Sequence, residues 1–277
     1  MLKVTKPTTA GTRHRVAIDR SELHSGAPEK SLLRGGHVKR QGRGYKGHIT
    51  VRHRGGGVKK RLRIIDWKRD KFGVPGVVKR IEYDPTRGAN VALIYYKDGD
   101  KRYMICPSGL EVGNTVISGP DVDPKVGNAM PLKNVPIGVS IHNIEMKKGH
   151  GAQMVRGAGN AALVQAKEGK YVTVQLPSKE HRLINAECLA TIGQVGNQEW
   201  KNRKIGKAGT RRLMGIRPSV RGTAQHPNTH PHGGGEGRSG VGLKYPKTPW
   251  GKIAAPGKKT RDVRKSTKWI VKDRRTK

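Results

Sequence analysis

Residues 91–106 read VALIYYKDGDKRYMIC, and this stretch decides the fold of the 277-residue chain. Its first part, Val91 to Tyr96, is apolar on both faces, as in a strand that is buried on both sides. Asp98-Gly99 then favours a tight turn, because this pair tolerates the positive backbone angles of a hairpin. Tyr103 to Cys106 returns the chain alongside the first strand. The stretch therefore predicts a β-hairpin within an antiparallel sheet.

Short segments of alternating polarity flank this hairpin on both sides. Upstream of it, Leu62 and Ile64 are expected inside and Arg61 and Arg63 outside. The next segment alternates as well, with one set of residues expected inside and the other outside: Val77, Ile81 and Tyr83 inside, and Arg80, Glu82 and Asp84 outside. Downstream, further strands and turns are expected, the strands around 139–146, 161–166, 170–176 and 180–184, the turns at Glu168-Gly169 and Pro177-Ser178-Lys179.

Helical periodicity is nearly absent from the sequence. The one candidate is 198–213, with Asn197 as its cap, and Gly206 and Gly209 weaken it. Many short strands at this spacing favour two small barrels over a single sandwich. The sequence therefore predicts a mainly β protein with two barrels between long, basic, irregular extensions at both ends.

Positive charge dominates the chain and is concentrated at its ends. Lys and Arg number 57 against 20 Asp and Glu, which gives a net charge of +37. Residues 1–60 carry +12, residues 61–200 carry +6 and residues 201–277 carry +19. A polyanion is needed to offset the self-repulsion of such a chain, and nucleic acid is the leading candidate. We therefore expect the ends to bind nucleic acid and the middle to fold.

Several classes of protein do not fit this sequence. Cys106 and Cys188 lie 82 positions apart and outside any paired motif, so neither a disulfide framework nor a zinc knuckle is indicated. The first twenty residues lack the apolar stretch of a signal peptide. The longest unbroken apolar run, Val91 to Tyr96, is far shorter than the ~20 residues of a membrane span. A soluble protein of a reducing compartment is expected.

Glycine and arginine alternate in the N-terminal extension at Arg34-Gly35-Gly36, Arg40-Gln41-Gly42-Arg43-Gly44 and Arg54-Gly55-Gly56-Gly57. Glycine lets the backbone approach phosphate closely, so the pattern suits threading through folded RNA, although a solvated charge run is the alternative. The aromatic residues of the extensions are expected to stack on bases: Tyr45, Tyr245, Trp250 and Trp269. Residues 258–277 have a density of basic side chains suited to phosphate contacts.

Two enzymatic interpretations compete with RNA binding. His226, His230, His232 and Glu236 suggest a zinc hydrolase, but the neighbouring Pro and Gly residues predict an irregular loop without the rigidity that a metal site needs. Residues 42–47 match a dinucleotide fingerprint formally, yet no strand and helix flank them. A third interpretation, packaging of nucleic acid by charge alone, leaves the ordered strand pattern of 61–184 unexplained.

The chain resembles, along essentially its whole length, the universal family of ribosomal protein two of the large subunit. The resemblance is carried by these motifs: Arg52-His53-Arg54-Gly55-Gly56-Gly57, Glu82-Tyr83-Asp84-Pro85, Ala89-Asn90, Lys97-Asp98-Gly99, His142-Asn143-Ile144-Glu145, Gly206-Lys207-Ala208-Gly209, Arg221-Gly222-Thr223-Ala224 and His230-Pro231-His232-Gly233-Gly234-Gly235-Glu236-Gly237-Arg238. The last nonapeptide is highly specific. The bacterial type and an organelle-encoded copy both fit, so the expected location is the ribosome of the cytoplasm or of an organelle.

The resemblance implies an oligonucleotide-binding-type barrel at 61–125 and an SH3-like barrel at 126–200, between extensions 1–60 and 201–277. It further implies a structural role without enzymatic activity, in assembling the large subunit, in joining the subunits and in supporting transfer-RNA binding near the peptidyl-transferase centre. The implied partners are large-subunit ribosomal RNA, neighbouring ribosomal proteins and the small subunit. No cofactor, metal, membrane or second copy of the chain is expected.

Arginines in two loops correspond to RNA-contacting positions of the family, namely Arg87 after Tyr83-Asp84-Pro85 and Arg156 before the strands of the second barrel. Both lie on loops at strand ends, where binding residues of rigid barrels are concentrated. Together with the motifs above, they complete the residues predicted to bind RNA: Arg52, Arg54, Arg87, Arg156, Lys207, Arg211, Arg221, His230, His232, Arg238, Lys258 and Lys259.

Overall fold

The computed structural model describes residues 2–34, 41–254, 262 and 266–274. Two units emerge from the contacts between residues, the first made of Met1–Val38, Lys59–Thr210 and Lys268–Lys277, the second of Lys39–Val58 and Arg211–Thr267. None of the helices in the described ranges is long and apolar enough to span a bilayer.

Strands make up most of the regular structure. Those in the described residues are β1 (Leu2–Val4), β2 (Val16–Ile18), β3 (Leu33–Arg34), β4 (Leu62–Arg63), β5 (Gly76–Glu82), β6 (Val91–Tyr96), β7 (Lys101–Ile105), β8 (Thr115–Val116), β9 (Ala129–Pro131), β10 (Ser140–His142), β11 (Ile144–Glu145), β12 (Ala152–Met154), β13 (Ala162–Glu168), β14 (Tyr171–Gln175), β15 (His181–Asn185), β16 (Leu189–Ile192) and β17 (Ile270–Lys272). Helical turns are α1 (Ala208–Leu213) and the 3-10 helices Lys30–Leu32, Gln198–Asn202, Gly222–Ala224 and Thr267–Trp269.

The predicted hairpin of β6 and β7 belongs to a four-stranded antiparallel sheet with the order β7-β6-β5-β8, in which β6 is an inner strand and β7 an edge strand. Its turn is closed by hydrogen bonds from Tyr96 N to Asp100 O at 2.9 Å and from Gly99 N to Tyr96 O at 3.0 Å. Gly99 has a φ of 87°, which confirms the expected turn chemistry.

Strand β6 is buried on both faces, as its apolar run predicts. One face, with Ala92 and Ile94, packs in a core that includes Val78, Met104 and Val116. The other face, with Val91 and Leu93, packs in a second core that also contains Ile65, Tyr103 and Val195. Because Val195 follows β16, a strand of a second, seven-stranded sheet, this second core joins the two sheets.

The alternation predicted for β5 is wrong in its phase at Val77, Glu82 and Asp84, whereas Ile81 packs against the core as expected. Val77 is 39% exposed and Val78 is fully buried, whereas Glu82 and Asp84 are buried rather than outside. A β-bulge between Val78 and Arg80 shifts the register by one residue, and such a shift moves side chains to the opposite face. The two buried carboxylates contact arginines, as described below. Upstream of β5, Ile64 is 50% exposed and the Arg63 side chain is only 9% exposed, so the sides expected for these two residues are wrong as well.

A seven-stranded antiparallel sheet with the order β17-β15-β14-β13-β10-β16-β9 forms the second half of the first unit. Its core is aliphatic and includes Leu132, Ile141, Val164, Val174 and Ile192. The turns predicted at Gly169 and Lys179 are present, and both residues have positive φ, 54° and 67°. The two curled sheets give the chain the mainly β fold that the sequence predicts, and their size is consistent with small barrels.

One expectation outside the sheets is corrected, and one aromatic side chain has a contact that was not expected. Residues 198–213 are not one helix, because Gly206 has a φ of 85° and separates the 3-10 helix from α1. Asn197 has left-handed backbone and makes no side-chain cap. Trp269 packs against the ring of Tyr171, with centroids 5.6 Å apart, next to β17, which pairs with β15. Its ring therefore contacts protein in this structure.

Two buried polar side chains lie where the sheets meet. Arg69 donates hydrogen bonds to Ser118 Oγ at 3.0 Å, to Gly127 O at 3.1 Å and to the sulfur of Met104. His142, in β10, donates from Nδ1 to Gly193 O at 2.7 Å, and its Nε2 has no hydrogen-bond partner among the described residues. Burial lowers the pKa of His142 to about 4, and the charge of Arg69 acts in the same direction.

Acidification is expected to destabilise the second sheet through His142. Because its pKa is lower in the folded state than the ordinary value of 6.5, the unfolded chain takes up the proton first. The stability from neutral His142 is complete above pH 6.5 and is lost as the pH falls towards 4, by about 3 kcal/mol. Hydrogen exchange of the slowest amides in β13 and β14 should show this loss between pH 7 and 4.

His142→Gln should flatten that pH dependence, whereas His150→Gln, at an exposed position, should leave it as in the parent chain. Equal pH dependence in parent and His142→Gln would contradict the assignment.

Candidate nucleic-acid interface

The indole of Trp67 brings the two predicted loop arginines together. The guanidinium carbon of Arg87 lies 5.4 Å from the ring centroid, and that of Arg156 lies 4.7 Å from it. Both distances fall within the range of cation–π attraction, about 6 Å. Arg87 belongs to the loop between β5 and β6, and Arg156 follows β12. The two halves of the first unit thus each contribute one cation to the same half-buried ring.

Backbone contacts hold Trp67 against the hairpin of β11 and β12. Its carbonyl accepts a hydrogen bond from Ala152 N at 2.8 Å, and the carbonyl of Ala152 accepts one from Arg156 Nη1 at 3.3 Å. Gly151 has a φ of 80°, and a Cβ there would lie 3.2 Å from Trp67 O. Glycine is therefore required for the hairpin to approach Trp67 this closely.

The loop that carries Arg87 is shaped by Asp84. Its buried carboxylate accepts hydrogen bonds at Oδ1 from Thr86 N, at 2.8 Å, and from Thr86 Oγ1, at 2.7 Å. This Asx turn leaves Oδ2 3.5 Å from Arg87 Nη1. Burial lowers the pKa of Arg87, Asp84 opposes that effect, and the charges of Arg156 and Arg63 add to it.

Arg63 extends the cationic cluster. Its Nη2 lies 3.7 Å from Glu82 Oε2, but Glu82 also contacts Arg80 Nε at 2.8 Å and accepts a hydrogen bond from the hydroxyl of Tyr103. The Nε atoms of Arg63 and Arg87 have no hydrogen-bond partner within the described parts of the chain. The three arginines therefore have fewer carboxylate contacts than their charge and their N–H donors can accommodate. This favours the binding of an anionic ligand.

Backbone strain marks the loop of Arg156. Val155, the preceding residue, has a φ of 52°, which is costly for a β-branched side chain. Its carbonyl accepts a hydrogen bond from Asn143 N at 3.1 Å, and Asn143 also has a positive φ of 50°. Strained residues of this kind are concentrated at binding sites, where the surrounding structure holds them in place.

Within the second unit, two distant basic segments lie side by side. Residues 53–58 run antiparallel to 213–218, with a bridge between Arg54 and Ile216 and a hydrogen bond from Gly55 N to Gly215 O at 2.9 Å. A Cβ on Gly57 would lie 2.7 Å from Gly215 N, so the two backbones are in direct contact. The guanidinium of Arg52 lies 5.8 Å from the ring of Trp250, which is itself 75% exposed.

The predicted histidines form a local cluster in this unit. The rings of His230 and His232 have centroids 4.6 Å apart, and His230 is only 7% exposed. His230 Nδ1 accepts a hydrogen bond from His232 N at 3.1 Å, and His232 Nε2 accepts one from Lys247 N at 2.7 Å. Burial lowers the pKa of His230, and His232 and Arg52 act in the same direction. His230 is therefore held neutral, with its proton on Nε2.

The remaining predicted residues are dispersed. Lys207, in the first unit, and Arg211, Arg221 and Arg238, in the second, are exposed. Lys258 and Lys259 lie outside the described residues, as does part of the Gly-Arg pattern at 35–40. Glu236 is exposed, and the described residues contain no group of three or more His, Cys, Asp or Glu placed to hold a metal ion.

Trp67 and Arg63 were missed as site residues from the sequence. Trp67 stands in Asp66-Trp67-Lys68-Arg69, an aromatic residue among basic ones, and that context could have indicated it. Its partner Ala152 is 85 residues away, so no local pattern reveals the contact. The burial of Asp84 was hidden by the bulge in β5.

Comparison with known families identifies the family of the chain. Residues 29–118 match the family described as "Ribosomal Proteins L2, RNA binding N-terminal domain", and residues 125–251 match "Ribosomal Proteins L2, C-terminal domain". The fold, the basic surface and these matches define a ribosomal RNA-binding protein. The chain belongs to the ribosomal protein L2 family, whose members are structural proteins of the large subunit. Ribosomal RNA and other ribosomal proteins are accordingly its partners, and the ribosome is its location.

Removal of the Trp67 ring should release both loop arginines. Trp67→Leu keeps an apolar side chain but ends two cation–π contacts, each worth on the order of 1 kcal/mol. The Nε–H groups of Arg87 and Arg156 should therefore exchange with solvent about fivefold faster, as measured by nitrogen-15 NMR of the free protein. The Nε–H of Arg69, which is bonded to Ser118, is the internal control. Unchanged exchange at both loop arginines would show that the ring does not hold them.

Proposed function

We propose that the chain binds large-subunit ribosomal RNA through the cluster of Arg63, Arg87 and Arg156 around Trp67, and that it acts as a structural protein rather than an enzyme. The observation that carries the proposal is the convergence of Arg87 and Arg156 on one ring. Two residues that the family resemblance indicates as RNA contacts, 69 positions apart in the chain, lie together in space. A common ligand accounts for that arrangement.

The chemistry of the cluster suits the RNA backbone. A guanidinium group offers planar pairs of N–H donors that match the oxygens of a phosphate, and stacking on Trp67 fixes the direction of those donors. Preorganised side chains lose less conformational entropy on binding than free ones do. Repulsion among Arg63, Arg87 and Arg156 is relieved when a phosphate binds, which adds to the affinity.

The proposal includes the finer roles that the resemblance implies. They are assembly of the large subunit, association of the subunits, transfer-RNA binding and support of the peptidyl-transferase region, with one copy of the chain in a ribosome of the cytoplasm or of an organelle. Residues 61–125 and 126–200 are the two barrels of this proposal, and 1–60 and 201–277 are RNA-binding extensions. Lys258 and Lys259 are phosphate contacts within the latter.

The geometry of His230 supports an architectural role in the second extension. A general base needs a free lone pair, but the unprotonated Nδ1 of neutral His230 already accepts the hydrogen bond from His232 N. The lowered pKa opposes protonation as well. Its Nε2–H remains available as a donor to an RNA oxygen, so His230 fixes the loop against RNA in this proposal.

Substitution of Arg87 or Arg156 by Ala should weaken binding to large-subunit ribosomal RNA by about 1 to 3 kcal/mol each. Because the two side chains share Trp67, their effects should not add fully in the double variant. Filter binding of the full chain at fixed salt measures these changes. Lys148→Ala is the control, since it removes one positive charge at an exposed pair with Glu187.

Arg87→Ala and Arg156→Ala affinities equal to that of Lys148→Ala would refute the proposed site. Binding of the parent chain should also be compared on an unrelated RNA of equal length. Equal affinity for both RNAs would favour packaging by charge, because phosphate contacts alone carry no sequence information.

Ribosomes with His230→Gln should assemble and form peptide bonds at near-parent rates, with an unchanged pH profile, because Gln can still donate a hydrogen bond but cannot titrate. Gly234→Val should instead impair assembly. Gly234 has a φ of 88°, and a Cβ there would lie 2.9 Å from Pro227 Cγ, so the loop must deform. Sedimentation profiles and single-turnover peptide-bond formation measure the two outcomes.

Gly240→Val is the control for Gly234, since a Cβ at Gly240 meets nothing within 4 Å in the protein. Loss of peptide-bond formation by about a hundredfold in fully assembled His230→Gln ribosomes would contradict the architectural role, because that is the low end for general acid–base catalysis.

A further inference from the structure

A second pair of stacked arginines lies beside the loop between β5 and β6, on Tyr83 at the start of the loop and on Trp200 next to Gly88. The guanidinium carbon of Arg20 is 3.6 Å from the ring centroid of Tyr83, and that of Arg203 is 3.6 Å from the ring centroid of Trp200. These distances are shorter than those at Trp67 and correspond to close stacking. Arg20 is exposed, and Arg203 is half-buried.

The elements that carry this pair are packed against one another within the first unit. Strand β2 bridges to the 200–207 segment through Val16 and Lys204, with hydrogen bonds of 3.0 Å in both directions. A Cβ on Gly88 would lie 2.7 Å from Trp200 Nε1, so the loop that begins after Tyr83 ends against Trp200. The two stacks are thus parts of one surface and not independent contacts.

The two guanidinium groups are close enough to repel each other. Burial lowers the pKa of Arg203, and the charge of Arg20 lowers it further. Neither group forms an ion pair with a carboxylate of the described residues. The nearest acid in sequence, Asp19, accepts hydrogen bonds at Oδ1 from Arg20 N at 2.7 Å and from Ser21 N at 3.1 Å.

Stacking leaves specific parts of each guanidinium group free. One face is covered by the aromatic ring, while the planar edge retains its N–H donors, and no hydrogen bond to a described residue is formed by either edge. Two N–H donors of such an edge can bind two oxygens of one phosphate at the same time. A lysine ammonium group has no planar pair of donors and cannot bind phosphate in this way. The arrangement is that of an anion-binding site in which two guanidinium groups are held in a fixed orientation.

We infer that Arg20 on Tyr83 and Arg203 on Trp200 form a second phosphodiester-binding site, at which the chain grips the RNA backbone independently of the Trp67 cluster. The site rests on the proposed function for the identity of its RNA. Its ligand is the phosphodiester backbone, because the groups offered are charged donors without a base-specific pocket. Contact by two arginines is expected to involve about two phosphates.

Arg20→Ala with Arg203→Ala, in the full chain, tests the inference by RNA binding across a salt series. The double variant should lose affinity about tenfold or more at 0.15 M salt. The slope of log affinity against log salt should become shallower by about 1.5, because each of about two lost phosphate contacts contributes roughly 0.7 to 0.9 to the slope. The control removes two positive charges elsewhere, at the ion-paired Lys125 and Lys148, as Lys125→Ala with Lys148→Ala.

Two further variants separate stacking from charge and from folding. Arg20→Lys with Arg203→Lys keeps both charges and should recover less than half of the lost binding free energy, whereas Tyr83→Phe keeps the stack and should bind as the parent does. Amide exchange of β5 and β6 verifies that each variant is folded. An affinity and salt slope equal to those of the lysine control would overturn the inference, and so would full recovery by the lysine pair.

The same titrations distinguish failure of this site from failure of the proposed function. Large-subunit ribosomal RNA and an unrelated RNA of equal length are both used, and preference of the parent chain between them tests the proposed function. The difference between the arginine variant and the lysine control tests the second site on either RNA. In one outcome the parent chain binds both RNAs equally well, while the arginine variant still shows a smaller salt slope than the lysine control. That result would contradict the proposed function and support the second site.

Discussion

The burial of β6 on both faces is the constraint on which the rest of the structure depends. One face completes the core of the four-stranded sheet, and the other face packs with Ile65 and Val195 in the core that joins the sheets. Because the strand cannot move relative to either core, the loops at its ends are fixed as well. Its preceding loop carries Asp84 and Arg87, and the loop after β12 of the β11-β12 hairpin places Arg156 on the same Trp67 ring as Arg87.

Acidic residues have a particular use in a chain of net charge +37. Glu82 and Asp84 are buried and direct Arg63, Arg80 and Arg87 from within, rather than neutralising the surface. The aromatic rings of Trp67, Tyr83 and Trp200 also orient arginines, through cation–π contacts. In consequence the fold fixes the direction of its cations while leaving most of their charge available to a ligand.

Local patterns predicted the parts of the fold that depend on neighbouring residues. The hairpin of β6 and β7 and the turn at Gly99 follow from a run of sixteen residues, and all are present. The phase of β5 was wrong because a bulge has no clear sequence signature. The helix over 198–213 was wrong because left-handed backbone at Gly206 interrupts it.

Distant contacts were beyond that kind of reasoning. Resemblance to a family indicated Arg87 and Arg156, but it did not indicate the Trp67 ring between them. The hydrogen bond from Ala152 N to Trp67 O joins residues far apart in the sequence, so no local pattern predicts it. The ring of Trp269, expected to stack on bases, contacts Tyr171, because β17 returns to β15 from far along the chain.

The pairing of β17 with β15 has a consequence for synthesis. Ile270 lies 85 residues beyond Asn185, so β15 is translated long before the strand that covers its edge. At the 5 to 20 residues per second typical of translation, that edge stays open for roughly 4 to 17 seconds. An open edge with unpaired N–H and C=O groups recruits other strands, so the nascent chain passes through a period of vulnerability to aggregation that ends when β17 arrives.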